Sequence, residues 1–407
     1  MSTTMTPETP AQARVSPLAR LQGMGGNVRQ YGIFGALVVI VGLFQVLTDG
    51  KLLLPNNVAS LIQQNAYVMI LAIGMVMVIV AGHIDLSVGS QVAFIGGLVA
   101  LMMKDMGLPW LVAVLAGLAI GALVGAWQGF WVAYIGIPAF IVTLAGMLIF
   151  RGFAILLVGV TVAGFPGAFI DISGGSIPNF LGFAGNADAV TLVLGALVIA
   201  ALVGSQVRAR SVLKKHDLKT EAVPLFLTKV VLITVGIGAV TWVLSQSAGG
   251  TPIVLIIVGA LILAYTFLMG RTVFGRHIYA IGGNVQAAVL SGVNTRNVNF
   301  WIFVNMGFLA GVASVVVTSR AGAAVAAAGQ NYELDAIAAC FIGGAAVTGG
   351  VGRISGAIIG ALIMGVLNMG LSILSVDPAV QQAIKGFVLL LAVAFDLINK
   401  RRAGGSR

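Results

Sequence analysis

Residues 67–103 read YVMILAIGMVMVIVAGHIDLSVGSQVAFIGGLVALMM. Two apolar runs, near 58 to 81 and 88 to 103, flank a polar break at Gly82-His83-Ile84-Asp85-Leu86-Ser87. The first run is long enough for a membrane-spanning helix, which needs about 20 predominantly apolar residues, and the second is short. Irregular backbone at membrane depth is allowed only where it is buried in protein or lines a cavity, so the second run reads as a broken or re-entrant piece. Gly82 and Gly89 let the chain bend. Asp85 is costly between two apolar helices, which makes a functional role the default hypothesis. It is equally suited to cap the next helix, because Asp there accepts backbone N–H bonds and complements the helix dipole.

The same pattern extends outward through the chain. Further apolar runs lie near 31 to 48, 110 to 133, 138 to 160, 189 to 205, 225 to 246, 252 to 270, 299 to 318, 334 to 349, 354 to 375 and 380 to 398. Of these, 334 to 349 is again short. Among 407 residues only 22 are basic and 12 acidic, or 8% charged, against roughly a quarter in a soluble domain. Hydrophobic residues make up 59%, and the 55 glycines sit mostly in apolar runs, as membrane helices allow. A soluble enzyme, a nucleic-acid-binding module and a disulfide scaffold are excluded. The expected fold is an all-α polytopic membrane protein with about 10–12 transmembrane helices, some of them broken or re-entrant.

Charge sets the expected orientation. With twelve crossings and an internal N-terminus, 17 Lys and Arg fall in inside segments and three, Lys51, Lys104 and Arg320, fall outside. That bias fits the positive-inside rule. Residues 1–30 and 399–407 are then cytoplasmic tails around a transmembrane unit at 31–398, with an external loop at 161–188 and cytoplasmic loops at 206–224 and 271–298. The external loop lacks Lys and Arg and contains Pro166, Gly174, Gly175 and Pro178, which reads either as an ordered surface for a partner or as a connector.

Three segments carry the candidate chemistry, of which the Gly82 break is the first. The second is Gln330-Asn331-Tyr332-Glu333-Leu334-Asp335, followed by Phe341-Ile342-Gly343-Gly344. It resembles the earlier acid, Leu, polar residue and Phe94-Ile95-Gly96-Gly97 order, which hints at an internal repeat. The third runs from Arg276 to Gly292. Asn284 is a good N-cap and Gly292 a good stop, so a two-turn helix is expected between them. Two turns are unstable alone in water, so this helix must dock, either on its own transmembrane helices or on another protein. Val285, Ala288, Val289 and Leu290 would form its apolar surface. No GxxxxGK[ST] loop occurs, since the Gly349–Gly356 segment lacks the Lys-Ser/Thr pair. ATP hydrolysis within this chain is therefore not expected. His83, His216 and His277 are scattered, so neither a metal nor a cofactor is expected. Cys340 reads as a small buried hydrophobe.

At these segments the chain resembles permease subunits of bacterial ATP-binding-cassette importers for monosaccharides, the ribose and xylose permease family. The resemblance rests on Ile84–Ser90, on Pro138–Met147 with Arg151-Gly152, on Arg276–Gly292 and on Glu333–Cys340. It implies an inner-membrane subunit that homodimerises, receives a sugar, D-xylose or a related pentose, from a periplasmic binding protein, and engages a cytoplasmic ATPase. The coupling residues it implies are Arg276, Gly283, Asn284, Ala287, Ala288, Leu290, Ser291 and Gly292. A sugar path needs polar groups, for which Asn65, Asp85, Ser87, Gln91, Asn331, Glu333 and Asp335 are the candidates. Trp127, Trp131 and Phe140 could stack on a sugar or anchor the helices at the membrane interface. The competing reading is a self-contained ion-coupled carrier or channel using Asp85, Glu333 and Asp335.

Overall fold

A computed structural model describes residues 25–218 and 220–404. Arg14, Arg20, Lys219 and Arg407 lie outside the described residues. The first half of the chain is α1 (Gly25–Leu47), α2 (Pro55–Val80), α3 (Val88–Lys104), α4 (Trp110–Phe130), α5 (Ala139–Val158), a strand β1 (Thr161–Ala163), and a short α6 (Gly167–Gly174). A hairpin of β2 (Phe183–Ala184) and β3 (Ala187–Asp188) follows. Then come α7 (Ala189–Lys215), α8 (Val223–Ser245), α9 (Ile253–Arg271), α10 (Val273–Gly283) and α11 (Val285–Leu290). The chain closes with α12 (Thr295–Ala321), β4 (Ala323–Val325), α13 (Tyr332–Ile342), α14 (Ile354–Ile373) and α15 (Pro378–Gly404).

Among the described residues, eight helices are long and apolar enough to cross a membrane, and three shorter apolar helices accompany them. The protein is thus an all-α polytopic membrane protein. Prolines open several helices, as at Pro55 of α2, where a missing N–H is harmless and φ is already helical. The core is built around α2, which buries an almost continuous face from Ala66 to Val80 against α12, α13, α14 and α9. Gly121 and Gly125 of α4 pack against Gly307 and Gly311 of α12 at backbone distance, while Gly117 turns to Val99 of α3, the close small-residue packing of membrane helices.

Two crossings are broken. At one end of the bundle Gly82 lies against Gly349, which touches Gly282 beside α11. At the other end the Lys104 side chain lies against Gly164, just after β1, and β1 pairs with β4. The segment from Gly82 to Lys104 therefore runs the length of the bundle, although α3 has only 17 residues. Val325 to Gly349 runs back with a helix of 11 residues, about 16 Å long. Between the two ends the start of α3 meets the turn before α13. A Cβ on Gly89 would collide with the Gly329 carbonyl, and one on Gly329 with that of Gly89.

One expectation changes. The 206–224 loop is shorter than read from sequence, because α7 continues to Lys215. Its last turns form a polar extension whose Arg210 donates to the Glu221 carbonyl and lies over the Phe226 ring. The 161–188 loop is ordered, by β1 pairing, by α6 and by a buried Phe169.

Candidate functional site

The break after α2 ends in a buried polar knot. Asp85 does not cap α3. The N-cap is Ser87, and Asp85 Oδ1 accepts from the Ser87 N–H at 2.8 Å and from its hydroxyl. The helix starts two residues later than a capping Asp would allow, so the carboxylate orders the turn before it. Ser87 Oγ accepts from Gln91 Nε2 and Gln128 Nε2, each at 2.7 Å. Gln91 Nε2 also donates to Gln128 Oε1, and Thr143 donates to the Ile84 carbonyl at 3.3 Å. All five side chains are fully buried, so α3, α4 and α5 are tied together around Asp85 in the protein interior.

A second cluster surrounds the start of α13. Asn331 precedes the helix in a left-handed conformation, φ 62°. Glu333 and Asp335 lie in the first turn, where acids complement the helix dipole. Asp335 accepts from Tyr67 Oη of α2 at 2.9 Å and pairs with Lys385 of α15 at 3.1 Å. Arg151 of α5 donates to the carbonyls of Ala326 and Ala328 at 2.8 and 2.6 Å, holding the turn that leads into α13. Asn65, two residues before Tyr67 and on another face of α2, donates to the Leu61 carbonyl and accepts from Asn368 of α14. Glu333 and Asp335 thus gather at the first turn of α13, with the Glu333 carboxylate against Gly89 between Ser87 and Gln91 of the knot, whereas Asn65 packs on Gly365 and Asn368 of α14.

The third arrangement is a backbone joint. Asn284 caps α11 as expected, accepting from the Ala287 N–H at 3.0 Å, and Gly292 ends it at φ 83°. Gly282 packs directly on the Val80 carbonyl at the end of α2 and on the Gly350 N–H. The Gly350 N–H also donates to the Val80 carbonyl at 2.8 Å. Tyr279 donates to the Gly352 carbonyl at 2.7 Å, and burial pushes its hydroxyl above the usual range, against the pull of Arg353. The apolar residues of α11 divide between two sides. Ala288 faces the bundle and is only 4% exposed, because a two-turn helix needs an inward anchor, while Leu290 is 89% exposed and Val285 and Val289 are about half exposed.

Sequence reading missed Gln128, Tyr67, Tyr332, Arg151 and Lys385. Gln128 and Lys385 are isolated polar residues in apolar runs, and that isolation was the available signal. Cys340 is buried as expected, while Trp127 and Phe140 are exposed and Trp127 meets Trp131 edge-on.

Apolar helices, two broken crossings that meet inside the bundle, and an ordered helix pair at one end define a membrane transport component. The chain belongs to the family described as branched-chain amino acid transport system / permease component, which matches residues 57–393. It is 40% identical over 379 residues to the xylose transport system permease protein XylH of Escherichia coli K12, covering 93% of this chain and 94% of that one. The XylH of Haemophilus influenzae is also 40% identical, over 92% of this chain and 98% of its own. The ribose import permease protein RbsC of E. coli K12 is 35% identical, over 90% and 92%. No solved structure matches the chain. The protein is a permease component and not an enzyme.

Proposed function

We propose that the chain is the membrane-spanning subunit of an ATP-binding-cassette importer that moves D-xylose or a related pentose across the bacterial inner membrane. The observation that carries this reading is the similarity to XylH along nearly the whole of both chains, which exceeds that to RbsC. The family description names branched-chain amino acids, but the individual relatives are sugar permeases.

In this reading a separate ATPase docks on α11, with the 276–292 segment as its receiver. Val285, Val289 and Leu290 offer the apolar contact, and Arg276, Gly283, Asn284, Ala287, Ala288, Ser291 and Gly292 shape it. Closure of the ATPase pushes α10 and α11. The Gly282 joint passes that push to the end of α2, to Gly82 and onward to the Asp85 knot, since rigid elements in backbone contact move together. Alternating access follows from tilting α2 against the two broken crossings. Asn65, Asn331, Glu333 and Asp335 border the sugar path, while Asp85, Ser87 and Gln91 fasten the hinge beside it. The homodimer, the periplasmic binding protein at the 161–188 loop and cytoplasmic termini belong to the same proposal. The carrier alternative is weakened by Asp335, which is already matched by Lys385 and Tyr67.

Leu290→Glu tests the docking. Nine-tenths of this side chain faces out, so the variant is expected to insert and melt like the parent. Its recovery of a copurified ATPase should fall at least about tenfold, because desolvating a charge at a packed interface costs several kcal/mol. Undiminished ATPase recovery would remove α11 as the docking element. Ala288→Glu, by contrast, is expected to lower the melting temperature of the isolated permease, because its charge would be buried.

A further inference from the structure

Polar side chains interrupt the outer surface of α2 midway along its length. Gln64 is exposed and Tyr67 half-buried, one helical turn apart on α2, and across from them Gln330 is exposed and Asn331 half-buried. Carboxamides at this depth are poor neighbours for lipid. The face they share with the start of α13 therefore borders water or another subunit.

Tyr67 and Tyr332 close this face ring on ring. Their centroids are 3.7 Å apart with planes 20° from parallel, whereas the other close ring pairs among the described residues are tilted or edge-on. Aromatic pairs prefer offset or edge-on arrangements with centroids roughly 4.5–7 Å apart, because each π face is negative. The observed stack is closer than that preference. A group with a positive C–H edge on both sides would fit between two such faces better than they fit each other. The flat face of a pyranose is such a group, and its hydroxyls would emerge at the rim. Asp335 and Lys385 sit there, with Asp335 already accepting from the Tyr67 hydroxyl. Tyr332 rides on the first turn of α13, behind Gly329 at φ 71° and Asn331 at φ 62°, so small rotations in that turn part the rings.

We propose that Tyr67 and Tyr332 form the slot through which the sugar passes, closed on itself in this structure, with Asp335 and Lys385 as its hydroxyl partners. This rests on the sugar-import reading above and names the part of the path that grips the ring. Polar groups that hold hydroxyls loosely and aromatic faces that hold C–H groups suit transit better than a deep pocket, because the sugar must leave again.

The test uses the permease reconstituted in liposomes with its ATPase and a D-xylose-loaded binding protein. Tyr332→Leu and Tyr67→Leu should each cut D-xylose uptake about tenfold, the scale of one lost stacking interaction. Tyr332→Phe, which keeps the ring, should transport at close to the parental rate. ATP hydrolysis stimulated by the loaded binding protein should persist in the Leu variants, since the Gly282 joint is untouched. Leu variants that take up D-xylose at the parental rate would overturn the slot while leaving the importer reading intact. A parental complex that takes up no D-xylose would instead remove the reading on which the slot rests. If a Leu variant fails to assemble, Tyr332→Cys in a Cys340→Ser background supplies the second measurement. Labelling by a small thiol reagent should be slow at rest and faster during ATP-driven turnover, and an unchanged rate would overturn the proposal.

Discussion

Gly282→Val should give a permease that is less stable and uncoupled. A Cβ at this position would overlap the Val80 carbonyl and come within 2.5 Å of the Gly350 N–H, both backbone atoms. No side chain can rotate away to relieve the clash, so α10 must lift from the end of α2. Overpacking of this kind costs about 1–3 kcal/mol and sometimes more. The Gly350 to Val80 hydrogen bond is lost along with it. The measurable outcome is a clear fall in the melting temperature of the detergent-purified protein, with sugar-stimulated ATP hydrolysis by the reconstituted complex near its basal level. Gly283→Ala is the control, because a methyl there would meet nothing within 4 Å, and its effect should stay within about 0.5 kcal/mol. If the two variants behave alike, the joint is not under the tight contact described.

Ser87→Ala should produce the other large loss. The hydroxyl bonds Asp85, Gln91 and Gln128 at once. Removing it leaves Gln128 Nε2 buried without a partner and weakens the hold on Asp85. A buried orphan costs about 1–3 kcal/mol, and here more than one group suffers, so a loss of about 3 kcal/mol is expected. Asp85→Asn should cost less, because the acceptor for the Ser87 N–H survives. Ser205→Ala, at an exposed hydroxyl that bonds only the Leu202 carbonyl, should stay within about 0.5 kcal/mol of the parent. Equal melting shifts for Ser87→Ala and Ser205→Ala would contradict the account of the knot.

Much of the architecture was readable because lipid imposes a simple rule on each segment separately. Apolar length located the helices, and the shortness of 88 to 103 and 334 to 349 marked the two that are broken. Asn284 and Gly292 marked α11 because capping is local chemistry within a few residues. What lay beyond sequence was the pairing of distant segments. Nothing in the run around Gln128 says that it meets Ser87, 41 positions away, nor does the spacing of Tyr67 reveal a partner on α13. Gly349 and Gly350 stood out only as a glycine-rich stretch lacking nucleotide-binding residues. Their contact with Gly282 exists because three segments converge at one end of the bundle. The direction in which Ala288 faces was open for a related reason: local pattern identifies an apolar helix face but not which side its own protein claims first.

Import of a pentose with energy from a partner ATPase would be visible as accumulation against a gradient. Liposomes containing the permease and ATPase should be given D-xylose-loaded binding protein, with ATP supplied on the side of α11 and no ion gradient. Labelled D-xylose should accumulate inside above its external concentration, and withholding ATP should stop it. Accumulation that follows an imposed proton or sodium gradient without ATP would rule out the ATPase-driven importer and restore the ion-coupled carrier.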